Sequence, residues 1–147
     1  LRLVSMLTSE DIAYAAGLFD GEGCVSVLHR EEPIRTQVQA VIGMTERQPL
    51  NWMQEKFGGT IIVEPRRNTH NTRTRDMHVW KLLGRKPVPF FQMILPYLKV
   101  KGEQARLALQ LYEEGQWGKG LNITEAELAR RRSIKAAIQS LNQGGNA

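Results

Sequence analysis

The sequence predicts an α+β fold, a four-stranded antiparallel sheet with its helices on one face. Three observations predict it. Helical and strand periods alternate along the chain in the order helix, strand, strand, helix, strand, strand, helix. In the segment RTQVQAVIG, Val38, Ala40 and Ile42 alternate with Arg35, Gln37, Gln39 and Val41, giving one apolar face and one mainly polar face. The paired strands are joined by short polar links, EEPI and NTHNTR, which suit antiparallel neighbours. Such a sheet buries one face under helices and leaves the other for a ligand.

Each element has its own signal. TSEDIAYAAGLFD predicts a helix from about 9 to 20, with Thr8 and Ser9 as candidate N-caps and Glu10 and Asp11 in the first turn, where the helix dipole favours acids. CVSVLHR and RTQVQAVIG read as the first strand pair. MTERQPLNWMQEKFGG carries Thr45 and Gln48 at capping-box spacing, an apolar stripe of Leu50, Met53 and Phe57, and Gly58 as a stop signal. TIIVEPRR and TRDMHVWKLL form the second strand pair, and KPVPFFQMILPYL is a third helical segment interrupted by Pro96. GEQARLALQLYEEG then predicts a short amphipathic helix, QWGKGLN a loop, and TEAELARRRSIKAAIQSLN a last helix with a capping box at Thr124 and Glu127.

The 147 residues suffice for one domain with a real core. No run approaches the roughly 18–20 apolar residues of a membrane span, and the first residues lack signal-peptide character, so an intracellular protein of cytoplasm, nucleoid or organelle is expected, not a secreted one. The single cysteine, Cys24, excludes an internal disulfide and reads as a small buried residue. Net charge is +5, and residues 60–86 alone hold seven basic side chains against Glu64 and Asp76. That segment fits a polyanion-binding surface or a solvated basic face. The same two readings apply to Arg130, Arg131 and Arg132. Trp52, Trp80, Phe90, Phe91 and Tyr97 are expected in the core. His29, His70 and His78 lack metal-ligand spacing, with a phosphate contact expected at most from His29 or His70.

The stretch AYAAGLFDGEGCV is the most informative. Ala13, Ala16, Gly17 and Asp20 fall at i, i+3, i+4 and i+7, so the spacing predicts one small-residue face, packed on a second helix or on the chain's own sheet. Gly21 and Gly23 are expected to turn the chain sharply and hold Glu22 at the tip. A carboxylate there suits a hard, oxygen-ligated cation such as Mg²⁺. Two copies of the helix packed together would bring two Glu22 carboxylates to one axis.

AAGLFDGEG, Ala15 to Gly23, resembles the motif that names the LAGLIDADG homing endonucleases, with Ala for the first Leu, Gly between the acids and Glu as the second acid. LPYLKVKGEQARLAL, Leu95 to Leu109, is similar to the region holding that family's active-site lysine. The resemblance and element order cover about residues 8–114, followed by a helical extension of about 115–142, in one domain spanning 1–147. The resemblance implies an αββαββα fold and an intron-encoded, site-specific double-strand DNA endonuclease. It implies Glu22 and Gly21 as metal-binding residues, for Mg²⁺ with Mn²⁺ or Ca²⁺ as other occupants, and no small-molecule cofactor. Lys101 matches the basic residue near the cleaved phosphate, and Glu46 a polar residue near the metal-bound water. Asp20 carries a catalytic role nearer the helix interface. A basic residue one turn after Glu46 falls on Leu50 here, with Arg47 a nearby substitute. One motif per chain implies a homodimer on a pseudopalindromic duplex, its interface formed by Ala13, Ala16, Gly17 and Asp20.

Strand parity then nominates the DNA-facing side chains. They are Ser26, Leu28 and Arg30 on the first strand, Arg35, Gln37 and Gln39 on the second, Ile62, Glu64 and Arg66 with Arg67 on the third, and Arg75, Val79 and Lys81 on the fourth. Two other readings remain open at the level of sequence. One is a catalytically lapsed DNA-binding regulator or intron RNA maturase on the same scaffold, and the other a basic α/β nucleic-acid binder outside the family.

Overall fold

The computed structural model describes residues 6–65, 75–119 and 121–144. The elements run α1 (Ser9–Glu22), β1 (Gly23–Glu31), β2 (Ile34–Met44), α2 (Gln48–Phe57), β3 (Thr60–Glu64), β4 (Met77–Gly84), α3 (Pro87–Ile94), a 3₁₀ turn (Leu95–Tyr97), α4 (Gly102–Glu113) and α5 (Glu125–Asn142). The strands form one four-stranded sheet in the order β1-β2-β4-β3, and every neighbouring pair is antiparallel. This is the expected α+β fold.

The register explains how one face became the core. Pairing Val25 with Ala40, Val27 with Val38, Ile42 with Trp80 and Ala40 with Leu82 places all of these apolar side chains on the same side of the sheet. Phe19 of α1, Leu50 and Met53 of α2, Phe90, Phe91 and Ile94 of α3, and Ala105 and Ala108 of α4 complete one cluster with them. Phe90 is its centre, with ring centroids 5.1 Å from Phe57, 5.4 Å from Trp80 and 5.6 Å from Phe19 in edge-on contacts. Trp80, Phe90 and Phe91 are buried as expected. Trp52 is only half-buried, edge-on to Tyr14, and Tyr97 is 39% exposed because the 3₁₀ turn at Pro96 swings it outward.

Helix caps depart from the sequence reading in an instructive way. Thr8 caps α1 in a box closed by Asp11. The box expected at Thr45 and Gln48 does not form. The Thr45 carbonyl hydrogen-bonds His78 Nδ1 at 3.1 Å, and α2 begins at Gln48 after an N-cap Arg47 that makes no side-chain capping bond. At α5 only half of the expected box exists. Thr124 Oγ1 accepts from Glu127 N at 3.2 Å, but the Glu127 carboxylate faces Arg130 and Arg131 instead of returning to the cap.

That diversion is the reason for the Arg130–Arg131–Arg132 run, which is neither a solvated face nor free for a ligand. Arg131 is 2% exposed. It donates to Glu127 Oε2 at 3.0 Å, to Thr36 Oγ1 at 3.0 Å and to Gln116 O at 2.6 Å, with the Trp117 ring 3.9 Å away. The Thr36 hydroxyl, which accepts from Arg131, also hydrogen-bonds His29 Nδ1 at 2.8 Å, and His29 Nε2 pairs with the Glu31 carboxylate at 3.1 Å. Arg132 closes the chain on Glu31 at 2.8 Å. Both His29 ring nitrogens are thus engaged within the chain, which makes His29 a structural link, while His70 lies outside the described residues.

Arg130 beside it, then Arg131, hold the buried Glu127 carboxyl down to about 2 from its ordinary 4.5. A carboxylate depressed on folding stabilises the protein above its unfolded pKa and stops doing so as pH falls through the folded one. In denaturant melts the wild-type advantage over Glu127→Gln is therefore expected to be full above pH 4.5 and to shrink toward pH 2. A difference independent of pH would contradict the pairing.

Candidate functional site

The site begins where α1 meets β1. The helix continues through Gly21 and Glu22, two residues beyond the expected end, and Gly23 has φ −91° and ψ 167°, ordinary extended backbone. The glycines are thus not used for unusual torsions. Gly23 is needed for space, since a Cβ there would run into the Phe19 ring and lie 2.6 Å from the Phe19 carbonyl oxygen. Only glycine lets the strand leave directly over Phe19. At Gly17 and Gly21, by contrast, an added Cβ would meet nothing within 4 Å.

Asp20 and Lys101 form a reciprocal clasp. The Asp20 carboxylate accepts from three successive backbone amides, Lys99 at 2.7 Å, Val100 at 3.1 Å and Lys101 at 3.0 Å. In return the Lys101 ammonium donates to the carbonyls of Asp20 at 2.6 Å and Phe19 at 3.2 Å. The anion sits at the N-terminus of α4 and the cation at the C-terminus of α1, so each charge meets the helix end that favours it. Asp20 is a positioning residue by this geometry, with its lone pairs largely committed to the 99–101 backbone.

Glu22, one turn position further on, is exposed and makes no hydrogen bond or ion pair among the described residues. Gly21 contributes a carbonyl in the last turn of α1, where no helical amide follows to donate to it. Both are hard oxygen donors, the kind a Mg²⁺ or Ca²⁺ ion takes. Among the described residues no three His, Cys, Asp or Glu side chains converge on one point.

The small-residue face is rotated from its expected position. Ala13, Tyr14, Gly17 and Gly21 are exposed along α1, but Ala16 is fully buried in the chain's own core and Asp20 is half-buried in the clasp. Ala13 and Gly17 remain open to a partner; Ala16 does not. Near α2, Glu46 pairs with Arg75 at 2.6 Å, both side chains being solvent-exposed. Leu50 is fully buried among the core residues, and Arg47 Nε donates to Asn51 Oδ1 at 3.2 Å.

The outer face of the sheet carries the expected strand residues in cross-strand rows. Ser26 faces Gln39, Leu28 faces Gln37 and Arg30 faces Arg35. Lys81 lies between Val41 and Thr60, and Val79 between Gly43 and Ile62. Glu64 pairs with Met77. Ser26 donates to Gln39 Oε1 at 3.1 Å, so these two are already oriented. Val79 is only 6% exposed and is therefore packed into the face instead of presented by it. Arg66 and Arg67 lie outside the described residues. Two outer-face positions were missed from sequence. Leu83, paired with Gln39 and 39% exposed, follows from the parity of Lys81 and was hidden by being apolar. Cys24 is exposed on this face beside Val41, contrary to its expected burial.

With the fold and site described, comparison with known proteins is informative. No family sequence model matches the chain, and no curated protein sequence matches it. Solved structures do. The homing endonuclease I-CvuI, in complex with the I-CreI target in the presence of 2 mM Mg, superimposes with TM-score 0.68 at 21% identity, covering 90% of this chain and 82% of that one. The archaeal intron-encoded homing endonuclease I-Vdi141I, complexed with DNA, gives TM-score 0.53 at 14% identity over 91% and 98% of the two chains. The LAGLIDADG meganuclease I-AabMI, bound to uncleaved DNA, gives 0.62 at 15% identity, covering 86% of this chain but 44% of its own. The chain has the fold of the LAGLIDADG homing endonucleases.

Partial burial raises the Cys24 thiol above its ordinary value, and the charge of Lys101 pulls it back. Lys101→Met is thus expected to raise the thiol pKa further, read from the pH dependence of iodoacetamide alkylation. An unchanged profile would mean that the ammonium does not lie where α1 passes into the outer face.

Proposed function

We propose that the chain is a homing endonuclease of the LAGLIDADG type that cuts duplex DNA as a homodimer with divalent metal. The observation that carries this reading is the clasp. It commits Asp20 to structure, fixes Lys101 at the end of α1, and leaves Glu22 without a partner among the described residues at the start of a sheet face lined by Ser26, Arg30, Arg35, Gln37, Gln39 and Lys81. The fold comparisons support it, because the matched proteins are homing endonucleases solved with DNA, one of them with Mg and, in a second structure, Ca.

In this reading Glu22 and the Gly21 carbonyl would hold a divalent metal, which when bound would lower the pKa of water and offset negative charge at the phosphate. Lys101, pre-oriented by its two carbonyl bonds, places its charge beside the scissile phosphate, where a fixed cation stabilises the developing negative charge without reorganising. Glu46 and Arg75 form a polar pair that orders solvent near the same edge. Ser26, Arg30, Arg35, Gln37, Gln39, Glu64, Arg75 and Lys81 contact the duplex by hydrogen bonds, to base edges or to its backbone, and Leu28, Ile62 and Leu83 by apolar contact.

Two copies pack through the open side of α1, where Ala13, Gly17 and Gly21 allow close backbone approach. A regulator that binds DNA without cutting it is the reading favoured by Leu50, a buried apolar residue at a position the resemblance gives to a base.

Cleavage of a randomised duplex library by the wild type and by Glu22→Gln, with Mg²⁺ and with EDTA, separates the two. The endonuclease reading expects an enriched, pseudopalindromic cut site only for the wild type with Mg²⁺. Binding of selected sequences by both proteins with cutting by neither would establish the regulator instead.

A further inference from the structure

At the β1 edge of the outer face lies a cleft of about 380 Å³ lined by Leu28, His29, Arg30, Arg35, Gln37 and Lys135. Its charge is one-sided. Arg30 and Arg35 are direct cross-strand partners, an arrangement of like charges that disfavours the pairing unless an anion lies between them. Lys135 adds a third cation from α5, and no carboxylate lines the cleft. The nearest acid in sequence, Glu31, is occupied by Arg132 and His29. Arg35 leans on the Gln37 amide, a neutral partner. Arg30 and Lys135 make no hydrogen bond or ion pair among the described residues.

Lys135 is also held in place. Arg132, one turn before it, is anchored to Glu31, and Asn142, two turns after it, donates to the Val25 carbonyl at 2.7 Å on the free edge of β1. Between these two fastenings α5 runs along the strand edge and brings the lysine to the rim of the outer face. The C-terminal helix is thus part of that face, although strand parity gave no hint of it.

We infer that this cleft takes one backbone phosphate of the bound duplex, between Arg30, Arg35 and Lys135, and that Lys135 serves the phosphate and not a base. The inference rests on the DNA-binding reading. A lysine is a point charge suited to a phosphodiester, and its place beside the sheet edge suits the flank of a groove more than its floor. Leu28, 48% exposed, offers an apolar surface for the adjoining sugar.

The test uses two unrelated duplexes of about 30 base pairs and measures affinity across a salt series for the wild type, Lys135→Gln and Lys135→Arg. The expected result for Lys135→Gln is a similar fractional loss on both duplexes and a salt slope shallower by about one ion, with the slope recovered in Lys135→Arg. Wild-type binding with an unchanged slope in Lys135→Gln would overturn the phosphate site alone. No duplex binding by the wild type would overturn the DNA-binding reading and this inference with it.

Discussion

Much of the molecule depends on one exchange of charges between two helix ends. Asp20 at the close of α1 gathers the amides of Lys99, Val100 and Lys101, and Lys101 returns its ammonium to the carbonyls of Phe19 and Asp20. Unpaired, the last carbonyls of α1 and the first amides of α4 would each need a cap. The clasp meets two of the α1 carbonyls and the three amides that lead into α4, and ties residues 80 positions apart into one corner. Phe19, whose carbonyl joins the clasp, is also a fully buried side chain of the core, so the corner and the core are built on the same turn. Glu22 lies just beyond the clasp and is exposed, with no partner among the described residues.

A second constraint acts at the opposite side of the sheet. β1 is an edge strand, and an open edge offers unpaired backbone groups to other chains. Helix α5 covers that edge, fastened by Asn142 at one end and by the run Glu127, Arg131, Thr36, His29, Glu31 and Arg132 at the other. A buried arginine is tolerable there because each of its three nitrogens has a hydrogen-bond partner and its guanidinium lies over Trp117. The consequence for function is geometric, since fixing α5 also fixes Lys135 beside Arg30 and Arg35.

The sheet was legible because alternation over nine- and eleven-residue strands fixes which side chains share a face, and only that choice of face hides Val25, Val27, Val38, Ala40 and Ile42 together. The same parity placed Ser26, Leu28, Arg30, Arg35, Gln37, Gln39 and Lys81 on the outer face, but it could not show that Val79 is packed away between Gly43 and Ile62. Features that depend on distant partners were not legible. The spacing of Thr45 and Gln48 fits a capping box, yet His78 claims the Thr45 carbonyl from across the fold. Glu127 fits one too, yet two arginines hold it. Likewise Ala16 shares a helical face with Ala13 and Gly17 on paper, but the direction in which α1 leans on the sheet turns Ala16 inward. The motif residues located the site; which of its acids is structural and which is free emerged only from the 99–101 loop meeting Asp20.

Residue-resolved hydrogen exchange in the wild type and in Asp20→Asn is the most direct test of the clasp. The account predicts that the amides of Lys99, Val100 and Lys101 lose protection in the variant while those of the β1–β2 ladder keep theirs. Equal protection of the three amides in a folded Asp20→Asn protein would contradict it, and Asp20 would then no longer be the residue that positions Lys101.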